Sequence, residues 1–257
     1  MTDASHRVDR LWPDPAADLD LDDAMADFHL PAPPPGRPLV AVNMITSIDG
    51  RAQLDGTAEG LGSRADRRLM RHYRAAFDVV ASGAGTLRAA GAWLRVGSDL
   101  AERRHAGGRS PNPVGLVIAG SDPVPLDASW FGGDEARILV VGRDSPVSEA
   151  PAGTELLRAP TERPAPAWVL ERLAERGHRT VLLEGGPRLN AAFLAADLID
   201  ELYWTIGAHL LGTEALPMIA PIRDGSPFAS SPRGGRLVSV LRHEHELFLR
   251  YRFSGPG

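Results

Sequence analysis

The chain has 257 residues, enough for one large domain or two small ones with a substantial core. Its 28 basic and 33 acidic side chains give a formal charge of −5, which argues against a general nucleic-acid binder. The absence of cysteine excludes disulfides, thiolate metal sites, iron–sulfur clusters and a cysteine nucleophile. No apolar run is long enough to span a bilayer, and the acidic N-terminus lacks the basic-then-apolar order of a signal peptide. A cytoplasmic protein with no membrane partner is expected.

Residues 1–38 are rich in Asp, Ala and Pro and close on Pro31-Ala-Pro-Pro-Pro-Gly36. They read as an extension, partly disordered or docked, with a helical turn or two between Leu19 and Leu30. The remainder, 39–257, alternates strand and helix signals. Leu39–Ile48 has the character of a strand, and a glycine-rich loop follows over Leu54–Gly62. Ser63 and Asp66 have the spacing of a capping box, opening a helix to about Ala76 with Ala65, Leu69, Tyr73 and Ala76 on one face. Val79–Ser82 is a short apolar strand that leads through a glycine loop to a brief helix. Gly91–Pro113 reads as a long irregular connection.

Val114–Ala119 and Ile138–Val141 are further strands, and a helix from about Ala167 to Arg176 stops at Gly177. Thr180–Leu183 and Glu201–Ile206 are strands flanking a helix marked by Leu189, Ala192, Phe193 and Ala196. Leu237–Leu241 and Leu247–Phe253 form an antiparallel hairpin, expected at a sheet edge, around His243-Glu-His-Glu246. That turn lacks the His-Glu-x-x-His spacing of a helical zinc site, so a solvated turn and no metal are expected. The fold class is α/β, with a mostly parallel central sheet and an antiparallel C-terminal hairpin.

Three strand ends carry small and polar residues, as a nucleotide crevice in an open α/β sheet requires. Asn43-Met-Ile-Thr-Ser-Ile-Asp49-Gly50 delivers an acid and a glycine into a turn, and Asn43 and Ser47, alternating with apolar positions, are candidates to present polar groups to a substrate ring. Ser82-Gly83-Ala84-Gly85-Thr86 and Leu183-Glu184-Gly185-Gly186-Pro187 each precede a helical pattern. At the second, Pro187 suits a first helical turn, and the amides of Gly186, Arg188 and Leu189 are placed to cradle a pyrophosphate. The dinucleotide fingerprint itself fails, because its third glycine falls at Arg88. Taken singly, each glycine segment also reads as a tight turn that merely packs.

In order and spacing, these three segments, with Asp200-Glu201-Leu202 and Leu211-Gly212, resemble the pyrimidine reductases of riboflavin biosynthesis, the RibD C-terminal type. The likeness runs from about Leu39 to Phe253. It implies a dihydrofolate-reductase-like three-layer sandwich, NADPH as cofactor and a homodimer. It also implies reduction of a ribosylamino-pyrimidinone 5′-phosphate to its ribitylamino form. Many relatives are fused to a zinc deaminase, whose Pro-Cys-x-x-Cys element a cysteine-free chain lacks, so a stand-alone reductase is expected.

By position, the resemblance puts Thr86 and the Gly186–Asn190 turn at NADP, and Glu184 and Arg74 at the substrate. Asp49 is the candidate catalytic group, holding sugar hydroxyls or relaying a proton, with an Asp-Gly turn as its structural alternative. Arg74 and Arg95 are candidates for the substrate phosphate, since guanidinium forks suit that anion. Glu184 is a candidate for the pyrimidine amines, with an ion pair to an arginine as the alternative reading. Ser121 and Arg143 are candidates for the cofactor 2′-phosphate. Where relatives carry Asp-x-Pro-x-Leu, this chain has Ala90-Gly-Ala-Trp-Leu-Arg95. Dihydrofolate reduction and a non-catalytic NADP-binding module are the competing functions.

Overall fold

The computed structural model describes residues 6–53, 58–90, 95–121, 123–212, 214–220 and 232–253. In chain order it contains β1 (Arg7–Trp12), β2 (Ala16–Asp20), α1 (Leu21–Ala24), β3 (Leu39–Thr46), α2 (Arg64–Ala76), β4 (Val79–Gly83) and α3 (Ala84–Ala90). Then come α4 (Ser98–Ala106), β5 (Val114–Ile118), β6 (Arg137–Val141), β7 (Thr154–Arg158) and α5 (Pro166–Glu175). The chain closes with β8 (Thr180–Leu183), α6 (Pro187–Ala195), β9 (Glu201–Ile206), β10 (Gly235–His243) and β11 (Glu246–Phe253). Among the described residues the strands form one sheet in the order β2-β1-β10-β11-β9-β3-β8-β4-β5-β6-β7.

From β9 to β7 every pairing is parallel, and β11, β10, β1 and β2 add antiparallel strands. Period-two alternation sorts the parallel strands onto two cores. Ala41, Val80, Leu182 and Tyr203 face α2 and α3, where they meet Leu69, Tyr73 and Leu87. Val42, Ala81, Leu183 and Ile118 face α5 and α6, meeting Leu170, Leu173 and Phe193. Each fully buried side chain of this size contributes roughly 1.5–3 kcal/mol, so both helical layers are held by burial. The three-layer α/β arrangement with a mostly parallel sheet is the expected one.

Several local expectations change. The hairpin is not an edge, because β10 pairs with β1 and β11 with β9. The covering strands come from the N-terminal extension, whose residues 7–20 form a hairpin before the short α1. Within Gly91–Pro113 lies α4, whose buried residues are Leu100 and Arg104, too few to show a periodic apolar face. β7 went unread because its partly covered Thr154–Arg158 gives no clean alternation. The capping box is split: Ser63 Oγ accepts from the Asp66 amide, but the carboxylate returning to Ser63 N is Glu246, at 2.7 Å. Finally, His243 is buried rather than solvated, with Nδ1 2.6 Å from the carbonyl of Arg7.

Candidate active site

The C-terminal ends of β9, β3, β8 and β4 lie side by side, and the turns that leave them converge on one rim. Pairing of Asn43 with Tyr203 puts Asn43 on the α2 side, because the Tyr203 ring stacks on Tyr73 of that helix. The Asn43 amide is half-buried and has no partner among the described residues. On the next strand, Glu184 follows Leu183, and its amide donates to Ala81 of β4. Its carboxylate is gripped at both oxygens by Arg74, at 2.7 and 2.6 Å.

This pair decides one sequence expectation. Arg74, 8% exposed, spends its fork on Glu184 and is not presented to a phosphate. The alternative reading of Glu184 as an ion-pair partner is what the geometry contains. A carboxylate held by two charge-assisted bonds is fixed in orientation, and a planar fork leaves its outer lone pairs for a ligand.

Asp49 lies at the tip of the turn after β3. Its oxygens accept from Ser47 Oγ at 2.6 Å and from the amides of Leu211 and Gly212 at 3.1 and 2.8 Å. The Ser47 hydroxyl is the largest influence holding this carboxyl down to about 2. Asp49 is thus a permanent anion that ties the β3 turn to the segment after β9, a poor proton relay and a firm brace. Ser47 is fully buried inside that brace, so its hydroxyl belongs to Asp49 rather than to an open pocket.

The glycine segments meet. The Gly83 amide donates to the carbonyl of Gly185 at 3.0 Å. A Cβ on Gly83 would stand 3.8 Å from the Gly186 nitrogen, and one on Gly186 would stand 3.4 Å from Thr86 Oγ1. Gly185 has φ +94°, and the Gly185–Gly186 peptide is cis. No loop separates β4 from α3: the helix starts at Ala84, so Gly85 and Thr86 lie in its first turn. α6 starts at Pro187 behind Gly186, with no side chain capping its N-terminus. The amides of Arg188 and Leu189 therefore lack intrahelical partners and suit an anion. Nearby, Asn190 is buried; its Nδ2 donates to Met218 O, while its Oδ1 and the buried Ser82 hydroxyl have no partner among the described residues. A cradle of close glycines, open amides and orphaned polar atoms fits a dinucleotide.

Ser121 and Arg143 follow β5 and β6 on this same rim. The Ser121 hydroxyl reaches the carbonyl of Glu162 at 3.5 Å, and the exposed Arg143 pairs with Asp144 at 3.1 Å. Arg95 is elsewhere. It pairs with Glu135, just before β6, at 2.7 Å, while the next amide, that of Val96, donates to Asn112 before β5. Those are the N-terminal ends of the strands, so Arg95 is on the opposite rim and does not reach the crevice. Residues 91–94 of the divergent segment, Trp93 included, lie outside the described residues.

Sequence reasoning missed Asp66 as a site residue. Read as half of a capping box, its carboxyl instead accepts from Thr205 Oγ1 at 2.7 Å, on the sheet face that carries Asn43. It also missed the Leu211–Gly212 amides as the partners of Asp49, because nothing local couples residues 162 positions apart.

The RibD C-terminal domain model matches residues 38–227. The chain belongs to the RibD C-terminal domain family. It is 32% identical over 203 residues to a 2,5-diamino-6-ribosylamino-4(3H)-pyrimidinone 5′-phosphate reductase of Archaeoglobus fulgidus, covering 77% of this chain and 91% of that one. It is also 32% identical over 178 residues to the riboflavin biosynthesis protein RibD of Mycobacterium tuberculosis, covering 69% of this chain but 44% of the relative. A pyrimidine reductase-like protein of Corynebacterium diphtheriae superposes with a TM-score of 0.74 at 22% identity, over 85% of this chain and 93% of its own. That last likeness concerns the fold, an α/β sandwich shared with that pyrimidine reductase-like protein. Family membership makes this chain a reductase and implies a nicotinamide cofactor. No helix among the described residues is long and apolar enough to cross a membrane.

Proposed function

We propose that this reductase uses NADPH to convert a ribosylamino-pyrimidinone 5′-phosphate into its ribitylamino form. One observation carries the reading: the rim that holds the glycine cradle also holds, on the α2 face, an unpartnered Asn43 amide beside a Glu184 carboxylate locked by Arg74. The match to the archaeal reductase over 91% of its length supports the substrate class. A dihydrofolate reductase and a non-catalytic module gain no comparable support.

The bound cofactor supplies a hydride; the chain supplies position, charge and exclusion of water. Gly83, Gly85, Thr86, Gly185 and the turn Gly186-Pro187-Arg188-Leu189-Asn190 would hold it, with the free amides of α6 at the pyrophosphate. Ser121 and Arg143 would face the 2′-phosphate that distinguishes NADPH from NADH. Asn43 offers both a donor and an acceptor to the pyrimidinone edge, and Glu184 accepts from its amines. Arg74 keeps Glu184 aimed. With Arg74 engaged and Arg95 on the far rim, we assign the substrate phosphate to Arg51. It is half-buried beside the Asp49 turn, with Nε unpaired and no carboxylate partner among the described residues.

Asp49 acts by bracing. By joining the β3 turn to Leu211 and Gly212 it holds the mouth of the crevice in one shape. We further propose a cytoplasmic homodimer. The edge offered by β9 and the C-terminal hairpin is covered, so the support lies in the resemblance and in Ile48, Leu210 and Leu216. These exposed apolar residues, at 62, 76 and 47%, belong to the two segments that meet at the Asp49 turn. The deciding experiment compares NADPH oxidation by the purified protein with the pyrimidinone phosphate and with dihydrofolate. Strong preference for the pyrimidinone is expected; the reverse preference ends the substrate assignment.

A further inference from the structure

The functional reading leaves one buried titratable group at the rim without a task. Asp66 sits in the first turn of α2, and its carboxyl points at the sheet, accepting from Thr205 Oγ1 of β9 at 2.7 Å. A Cβ built on Gly62 would fall 2.5 Å from Asp66 Oδ2 and 2.7 Å from Ile45 Cδ1. Gly62 is therefore what lets the chain pass over this carboxyl. Ile45 and Thr205 are register partners, two residues beyond Asn43 and Tyr203 on the same face. The carboxyl thus stands on the side of the sheet assigned to the pyrimidinone, nearer the strand ends than Asn43.

The charged and titratable groups around it come from three places: the turn after β8, β11 and α2 itself. Glu184 after β8 and Glu246 of β11 both oppose its ionisation, and Arg67 on its own helix favours it. Tyr73, also of α2, is a buried neutral phenol whose own ionisation is opposed by Asp66. The guanidinium of Arg74 is committed to Glu184. Burial is the dominant influence and pushes the Asp66 carboxyl up to about 6. No guanidinium or ammonium is bonded to it among the described residues. A carboxyl raised by burial, on the same sheet face as the open Asn43 amide, matches what reduction of a C=N bond consumes.

We propose that Asp66 is the proton donor of the reduction, with Thr205 as its positioning residue. As hydride adds to the imine carbon, the π pair of C=N passes to nitrogen. That nitrogen takes the proton from the Asp66 carboxyl. The substrate is reduced to an amine, the nicotinamide is oxidised, and the carboxylate left behind is reprotonated by water before the next turnover. This inference rests on the function proposed above.

Three measurements test it, all on the full chain. D66N keeps the shape and an acceptor for Thr205 but has no acidic proton. It should lose about a hundredfold in kcat and lose the fall in kcat that the parent shows as pH rises through the neutral range. T205V removes the hydroxyl bond that favours the ionised form, so it should move that fall to higher pH. Isotope-edited infrared spectra of the cofactor-free protein should show a protonated carboxyl band that titrates in the parent and is missing in D66N. An active parent whose D66N variant keeps both its turnover and its pH profile overturns the assignment. So does a T205V profile that does not move. A parent that ignores the pyrimidinone while the infrared band titrates as expected overturns the substrate reading instead, and leaves Asp66 as the group holding the proton.

Discussion

The two rims of the parallel sheet are built from the same strands and differ in what they leave unpaired. At the N-terminal rim, Arg37 forks onto Asp200, which also accepts from the amide of Val40. Asp78 there accepts from Arg109 and from the amides of Arg179 and Thr180. Arg104 donates to the carbonyls of Ala75, Phe77 and Ser110. At the C-terminal rim, the Asn43 amide, the first amides of α6, the Asn190 Oδ1 and the Ser82 hydroxyl have no partner among the described residues. Buried polar groups without partners are costly, and a fold retains them where a ligand completes them. Around β3, β8 and β4, one rim fastens the sheet and the other is left open to receive.

Breaking the open rim should cost activity, and breaking the closed one should cost stability. The largest effect is expected from Asp49→Ala, which cuts the turn loose from Leu211 and Gly212. Turnover should drop about a hundredfold through misplacement of the mouth, with thermal stability nearly unchanged by calorimetry. Asp200→Ala should do the reverse. It should lower stability by about 2 kcal/mol in denaturant titration, because a half-buried fork is left unmatched, while kcat stays put. Gly186→Ala pushes a methyl toward Thr86 Oγ1 in the cradle. Cofactor affinity should fall about tenfold by fluorescence titration, equivalent to 1.4 kcal/mol, with substrate KM unaffected.

Smaller effects sharpen the contrast. Arg51→Gln should raise the KM for the phosphorylated substrate several-fold and leave the cofactor Kd alone. Arg143→Ala should narrow the preference for NADPH over NADH by a few-fold, measured as a ratio of kcat/KM values. Asp66 supplies a pH test of the open rim. Its folded pKa lies above the unfolded value, so its favourable contribution is complete below about pH 4 and is lost as pH rises through about 6. D66N should therefore melt higher than the parent at pH 7.5, and the advantage should vanish below pH 4. Stability gained where activity is lost would mark a group kept for function.

Most of the alternating strands and helices from Leu39 to Ile206, α4 and β7 excepted, were legible because the periods are clean there: Leu39–Val42 is a buried run, and α2 puts Ala65, Leu69 and Tyr73 on one face. The glycine turns and the Asp49 turn were legible for local reasons, since small residues and Pro187 declare strand-to-helix junctions. What stayed hidden was non-local. No sequence rule says that Arg74 meets Glu184 across 110 positions, or that Ser63 is capped from Glu246. Arg95 was misplaced because chemistry qualified it for a phosphate while topology carried it to the other end of the strands. The hairpin of residues 7–20 escaped because its strands bury little beyond Val8 and carry charge at half of the other positions.

That hairpin has a consequence for how the molecule is made. Asp9 and Arg10 lie against Arg242 and Leu241, so β1 pairs with a strand that is made long after it. Until β10 and β11 are made, β1 has no neighbouring strand but β2, and the flank of the sheet beside β9 stands uncovered. A contact this distant in sequence slows the final assembly. Nascent chains stalled before residue 235 should therefore need a chaperone that finished ones do not.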